Sequence, residues 1–226
     1  MYRYKFETHL HTSESSACGR NTGAEMARGC KRAGYSGAVI TDHFFNGNCA
    51  VRRDLPWEER VRLFMRGYES AKREGDKIGI DIYFGFEYSL QGNDFLIYNF
   101  GEEKILAYPE IMSDKFEVMA ERVRGEGGFI IHAHPFRNES YIVYPGRVFP
   151  EHTDAAEVVN TAHWNPDYDK KALEYAEKYN LYKFSGSDTH HTQSVKGGIA
   201  FAQMPESLED MLSLVKQNKY MILGGK

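Results

Sequence analysis

The chain has 226 residues, 42% of them hydrophobic and 27% charged, with a formal charge of -4. That length is enough for one substantial core, so residues 1–226 are expected to form a single domain. No apolar run approaches the roughly 20 residues that cross a bilayer, which excludes a helical membrane protein, and the net negative charge offers no general attraction to nucleic-acid phosphates.

The first segment, MYRYKFETHL, alternates its hydrophobic residues with Arg3, Lys5 and Glu7, as a strand does and the apolar centre of a signal peptide does not. The three cysteines, Cys18, Cys30 and Cys49, are odd in number and form no CxxC pair. Together these features are read as a reduced, cytoplasmic protein without a disulfide framework.

Further along the chain, short β-type runs recur between polar stretches of helical period. Strands are predicted over 4–9, 37–41, 80–87, 94–100, 128–132, 155–160 and 181–186, with a terminal pair at 198–202 and 220–223. Helices are predicted over 22–34, 56–74, 112–125, 166–179 and 206–217, with Thr22 and Ser207 as N-caps. Such alternation implies βαβ units and a parallel sheet, and about seven repeats in one domain favour a closed or nearly closed α/β barrel over two doubly wound halves. The longest irregular stretch, residues 135–154, is of the kind that shapes active sites.

Residues able to bind metal recur at the C-terminal ends of successive predicted strands, where an α/β barrel places its active site. His9 and His11 are two apart, so a regular strand projects both rings to one side. Thr41, Asp42 and His43 end the second strand, Glu87 ends the third, and Asp94 opens the fourth. His132 and His134 precede Pro135, and Ser187, Asp188, Thr189 and His190 follow the seventh. A lone strand-end histidine is more often structural than a ligand. Six recurrences in one register would instead require burying many polar groups, each with its own partner.

At these residues the sequence resembles the PHP family, named for polymerase and histidinol phosphatase, from Glu7 to about Gly198. The resemblance implies a distorted (β/α)7 TIM-like barrel, two or three divalent metal ions (zinc, manganese or iron) at its mouth, and hydrolysis of a small phosphate ester. His9 and His11 match the family's opening HxH, and His43 its TDH. Glu87 matches its strand-three glutamate, His134 the histidine of HP, and Asp188 with His190 the closing DxH. These seven are the implied metal ligands and catalytic residues. Two departures stand out. The segment after HxH contains Glu14 and Cys18 where the family often has an acidic residue or histidine, and Asp94 stands where a histidine is usual. Asp94 is therefore counted with the metal ligands.

Glu7 and Asp42 are expected to orient ligand rings by accepting their second N–H, or else to be solvated strand-end carboxylates. Glu157 is either a further site residue or the salt-bridge partner of a neighbouring helix. Arg137, in HPFR, suits a forked contact with a substrate phosphate, and His163, His191 and Lys196 are weaker substrate contacts. His132 is either a core neighbour of His134 or part of the site, and Tyr141, Tyr144 and Trp164 are candidates for an apolar wall. Two metals about 3.5–4 Å apart would activate a water as hydroxide and stabilise the leaving oxygen, so no Ser or Cys nucleophile is needed. The expected partner is a small phosphorylated substrate, not a membrane or a stably bound nucleic acid, and nothing in the sequence sets an oligomeric state. An amidohydrolase, whose barrel also opens with HxH and ends with a late-strand Asp, is the rival enzyme reading. A non-catalytic metal-binding regulatory module is the rival of another class.

Overall fold

A computed structural model describes residues 1–224, and all nine strands read from the sequence form within it. They are β1 (Tyr4–Leu10), β2 (Gly37–Ile40), β3 (Asp81–Leu90), β4 (Asn93–Tyr98), β5 (Phe129–Ala133), β6 (Ala155–Asn160), β7 (Tyr182–Gly186), β8 (Ile199–Phe201) and β9 (Tyr220–Ile222). The helices are α1 (Gly23–Arg32), α2 (Trp57–Phe64), α3 (Arg66–Ile78), α4 (Glu102–Ala107), α5 (Phe116–Gly125), α6 (Pro166–Lys178) and α7 (Leu208–Lys216). Thr22 caps α1 in a capping box with Glu25, and the Ser207 side chain accepts from Asp210 N at the start of α7.

One sheet runs in the order β7-β6-β5-β4-β3-β2-β1-β8-β9 and curls until its ends meet. The Leu10–Thr189 bridge joins the top of β1 to the segment after β7, where His11 N donates to Thr189 O at 2.9 Å. Lower down, β8 fills the gap by pairing antiparallel with Tyr4–Phe6, so the barrel is nearly closed. Strict parallel alternation gives way at β3, β4 and β5, which pair antiparallel. The cause is local: β3 and β4 are joined by Gln91 and Gly92, both at positive φ, a two-residue hairpin connection that leaves no room for a crossover helix.

Two other departures have visible causes. The helix expected over 56–74 is two helices, α2 and α3, meeting at Met65. Ser15 enters that junction, donating to Phe64 O at 2.7 Å and accepting from Gly67 N at 3.3 Å, so a side chain replaces ladder bonds. The short α4 and a 3-10 turn at Pro109–Met112 precede α5, which starts at Phe116 rather than 112. Six residues are too few to show a helical period in sequence.

Both faces of β1 are buried from Phe6 onward, as expected for a barrel strand with packing inside and out. The Tyr98 hydroxyl of β4 donates to Thr8 O of β1, two strands that are not neighbours. Tyr98 thus ties β4 to β1 across the interior. Outside, Phe44, Phe64, Phe86, Phe95, Phe116 and Phe149 form the largest apolar cluster. Among the described residues no helix is long and apolar enough to cross a membrane.

Candidate metal centre

His9, His11, His43, Glu87, Asp94, His134, Asp188 and His190 come together at the C-terminal mouth of the barrel. Glu87, 1% exposed, is the hub. Its Oε1 lies 3.2 Å from His9 Nε2 and 3.2 Å from His134 Nε2, and its Oε2 lies 2.6 Å from His43 Nδ1 and 3.7 Å from His11 Nε2. Asp188 Oδ1 sits 3.2 Å from His11 Nε2 and 3.6 Å from His9 Nε2, while its Oδ2 accepts from Arg137 Nη2 at 2.5 Å. Asp94 Oδ2 is 3.9 Å from His134 Nε2.

Burial opposes ionisation of Glu87, but the His43 and His9 imidazoles hold its carboxyl well below the usual range. Asp188 is likewise buried, and Arg137 and His9 hold it well below. In return His9 resists charge through burial, yet Asp188, Glu157 and Glu87 raise its pKa well above that of free imidazole. His11, buried beside His43, is lowered to about 3.

These contacts are not those of a hydrogen-bonded network satisfied by itself. His9 Nε2 and Glu87 Oε2 are buried and make no hydrogen bond, although ring nitrogens and carboxylate oxygens face one another. Lone pairs converging without a shared proton are what a cation would satisfy. Four overlapping groups have ligand atoms within mutual reach: His11, His43 and His190; His9, His134 and Glu157; His9, His11 and Asp188; Glu87, Asp94 and His134. The mixed imidazole and carboxylate set fits divalent zinc, manganese or iron.

Two of these residues sit on unusual backbone. His134 (φ 32°) and Asp188 (φ 47°) have positive φ, and among the described residues the other four non-glycine residues that do so are Gln91, Asn99, Asn180 and Asn218. For non-glycine residues this region costs on the order of 1–2 kcal/mol, so surrounding bonds must hold it. At His134 that bond comes from Glu157, whose Oε2 accepts His134 N at 3.0 Å and Asn160 Nδ2 at 2.8 Å. Its Oε1 lies 3.1 Å from His9 Nδ1. Glu157 therefore orients His9 and pins the turn at His134, and bonds no neighbouring helix.

This corrects the role expected of Glu7, which touches no imidazole. Its buried carboxylate accepts from Thr8 N, His9 N, Ser187 N and Ser187 Oγ, tying β1 to β7, and burial raises its pKa. Asp42 acts on a ring only through another side chain. It accepts from Thr12 N, Thr12 Oγ1 and Ser16 Oγ, and the Ser16 hydroxyl lies 3.3 Å from His11 Nδ1. Neither carboxylate is solvated, and burial lifts Asp42 to about 6.

Above the hub lies a cavity of about 430 Å³ lined by His43, Asn48, Glu87, Asp94, His134, Arg137, Tyr141, Asp188 and His190. Arg137 and Tyr141 come from the long loop after β5, as its length suggested. His163, His191 and Lys196 do not line this cavity. His163 is half-buried, its enclosed ring holding Nδ1 2.7 Å from Asp169 Oδ1, and His191 and Lys196 are exposed. All three aromatic candidates are exposed, and of them Tyr141 alone borders the cavity. His132 belongs to the core: both ring nitrogens lack partners and the ring stacks on Phe95, with centroids 4.8 Å apart. Glu14 turns away and caps α1 by accepting Gly23 N at 2.9 Å. A larger groove of about 680 Å³, bordered by Asp81, Tyr83, Lys104 and Glu206, has no histidine among its lining residues.

Sequence reading missed Ser16, Asn48 and Asn160. Each is a small polar residue outside any spacing motif, and only the fold brings it to the ligands.

A barrel with a metal-ligand nest at its mouth is thus the class that fold and site define. No family model matches the sequence. An uncharacterized protein of Methanocaldococcus jannaschii is 35% identical over 107 residues, 44% of this chain, and the match spans 45% of that relative, about half its length. Among solved structures, the chain is similar to a two-domain protein from Bacteroides vulgatus containing a predicted PHP-like metal-dependent phosphoesterase. The TM-score is 0.75 at 16% identity, covering 99% of this chain and 66% of that one. It is also similar to an amidohydrolase from Chromobacterium violaceum, with a TM-score of 0.54 at 15% identity, covering 96% and 98%. At such identities the likeness establishes the fold, an α/β barrel shared by phosphoesterase-like and amidohydrolase-like proteins.

Proposed function

We propose that this chain is a metal-dependent phosphoesterase of the PHP type, acting on a small phosphate ester. The observation that carries the reading is the pairing of Arg137 with Asp188 at the edge of the ligand nest. A guanidinium inside the cavity, 14% exposed, offers a fixed cation with forked donors beside the metal-binding carboxylates, which suits the oxygens of a phosphoryl group.

His9, His11, His43, Glu87, Asp94, His134, Asp188 and His190 are the residues that would hold the ions. Bound divalent ions supply Lewis acidity toward phosphoryl oxygens and a water of lowered pKa. The protein's own contribution is placement. Glu157 fixes the His9 ring through Nδ1, which leaves Nε2 facing Glu87 and Asp188, and Ser16 with Asp42 does the same for His11. Arg137 orients the phosphoryl group, and Tyr141, itself exposed, borders the cavity. The substrate fits within about 430 Å³, which favours a small ester over a nucleic-acid duplex.

The test uses metal-stripped protein reloaded with manganese, zinc or iron and offered an aryl phosphate monoester, an aryl phosphate diester and a cyclic amide. Turnover of a phosphate ester is expected, lost in His9→Ala and Asp188→Ala variants that keep the wild-type circular dichroism. Activity confined to the amide would overturn the assignment. A protein that binds metal and turns over none of the three would instead point to a regulatory module.

A further inference from the structure

Of the nine residues that line the cavity at the barrel mouth, six are side chains that would hold the ions, which leaves Asn48, Arg137 and Tyr141 to meet the rest of a substrate. Arg137 is the one lysine or arginine in that lining, and its guanidinium pairs with Asp188 at 2.5 Å. Glu87, Asp94 and Asp188 share the same walls. A second phosphate on the substrate would therefore face carboxylates and find no further fixed cation, and like charges set side by side reject a ligand.

Asn48 lies in the loop after β2, and that loop is clamped on both sides. Toward β3, Phe44 N donates to Glu87 O at 2.8 Å, and the Asn46 amide both donates to Ser89 O at 2.7 Å and accepts from Ser89 N at 3.3 Å. Toward the turn after β1, Ala17 N donates to Asn48 O at 2.9 Å and Ala50 N to Ser15 O at 2.8 Å. These bonds use the backbone and Asn46. Among the described residues no hydrogen bond holds the Asn48 side chain, which is exposed at the cavity edge with its Oδ1 free to accept and its NH2 free to donate. A fixed backbone under a free amide is a preorganised contact, since little order is lost when a ligand meets it. Arg137 follows β5, and β3 with Glu87 lies between β2 and β5 in the sheet, so Asn48 and Arg137 border the cavity from either side of Glu87.

We propose that Asn48 sets substrate choice: its side-chain amide binds the alcohol half of the ester, and that half is an uncharged, hydroxylated alcohol. This inference rests on the phosphoesterase reading above. With the phosphoryl group held at Arg137, the alcohol half extends over Glu87 toward the β2 side, where Asn48 stands. A hydroxyl donates and accepts, as the amide does, so the two match in either orientation. The contact is made to a neutral part of the substrate away from the reacting bond. It holds ground state and transition state alike and acts on KM rather than on kcat.

The experiment compares propyl phosphate, glycerol phosphate and glycerol bisphosphate as substrates of the metal-loaded full chain, wild type and Asn48→Ala. The wild type is expected to show its highest kcat/KM on glycerol phosphate. In Asn48→Ala the preference for glycerol phosphate over propyl phosphate is expected to fall about 5-fold, the usual net worth of one hydrogen bond, with the change carried by KM. Because the side chain holds no other part of the loop, the variant should keep the wild-type circular dichroism and metal content. A preference that survives the substitution, a loss equal on both esters, a variant that loses metal, or a bisphosphate favoured over the monophosphate overturns the inference and leaves the phosphoesterase reading intact. Metal-loaded wild type that turns over none of the three and no aryl phosphate overturns both.

Discussion

Glu157→Gln is a sharp test of how the site is built, because it removes one charge and almost no volume. The carboxylate has three donors around it: His9 Nδ1 at 3.1 Å on Oε1, and His134 N at 3.0 Å with Asn160 Nδ2 at 2.8 Å on Oε2. A glutamine has one oxygen and one NH2 group, so it cannot accept from both sides. If its oxygen keeps His134 N and Asn160 Nδ2, its NH2 faces His9 Nδ1, which must then be unprotonated. The ring's proton moves to Nε2, the atom that faces Glu87 and Asp188, and the lone pair a metal needs is gone. If the amide turns the other way, two buried donors meet a third donor, at about 1–3 kcal/mol each.

The first arrangement costs the metal-free protein less, so it is the expected one. Metal affinity should fall by about 10–100-fold, the usual effect of losing a ring-orienting partner. The melting temperature of the metal-free protein should fall modestly, since charged hydrogen bonds worth about 1.5–3 kcal/mol are replaced by neutral ones. Competition against a chromophoric chelator measures the first quantity and calorimetric melting the second. Glu7→Gln is the control: Glu7 holds only backbone and Ser187 donors, so it should lower stability and leave metal affinity within about twofold. Unchanged metal affinity in Glu157→Gln would refute the orienting role.

Other consequences can be checked separately. His132 has two buried, unpartnered nitrogens, and burial lowers its pKa to about 3, below the ordinary 6.5. The unfolded chain therefore binds a proton that the folded one refuses, and stability is lost as pH falls from about 6.5 toward 3, by about 1.4 kcal/mol per unit. His132→Leu should stabilise the protein by about 1–3 kcal/mol at neutral pH and by more at pH 5 in urea titrations, whereas a destabilised variant would contradict this. Burial resists charge on His9 and His43, yet Asp188, Glu157 and Glu87 raise the His9 pKa and Glu87 that of His43, so metal should compete with protons at these rings, release some on binding and bind more tightly as pH rises. Calorimetry in buffers of different ionisation enthalpy reads that release, and none would be seen if the rings were already neutral. At Gly67 an added Cβ would lie 2.1 Å from Thr12 Oγ1 and 2.7 Å from Asp42 Oδ2, so Gly67→Ala should cost about 1–3 kcal/mol in denaturant titrations. Wild-type stability there would show that α3 can slide away from the Asp42 network.

Strand positions and the residue types gathered at the barrel mouth were legible because both follow from local rules. Hydrophobic runs bounded by turn residues marked all nine strands, and their C-terminal ends carried the histidines and acids that the barrel gathers. What the sequence hid was contact between distant segments. Nothing near Glu157 signals that its two oxygens serve β1 and the turn after β5, nor that Ser15 breaks a helix some 50 residues later. The antiparallel β3–β4–β5 stretch was missed for a different reason. Period and composition report whether a strand is buried, whereas its direction depends on the length of the connection, and here a two-residue turn decided it.

The same distinction separates ligands from their supports. A ligand can be read at a strand end because the barrel itself supplies the convergence, and any His or Glu placed there is brought to the mouth. A support has to meet a particular ring edge or backbone N–H, which fixes position in space but not in sequence. Glu7 and Asp42 stand two residues or one residue from a ligand and bond no ring, while Glu157, 148 residues from His9, does.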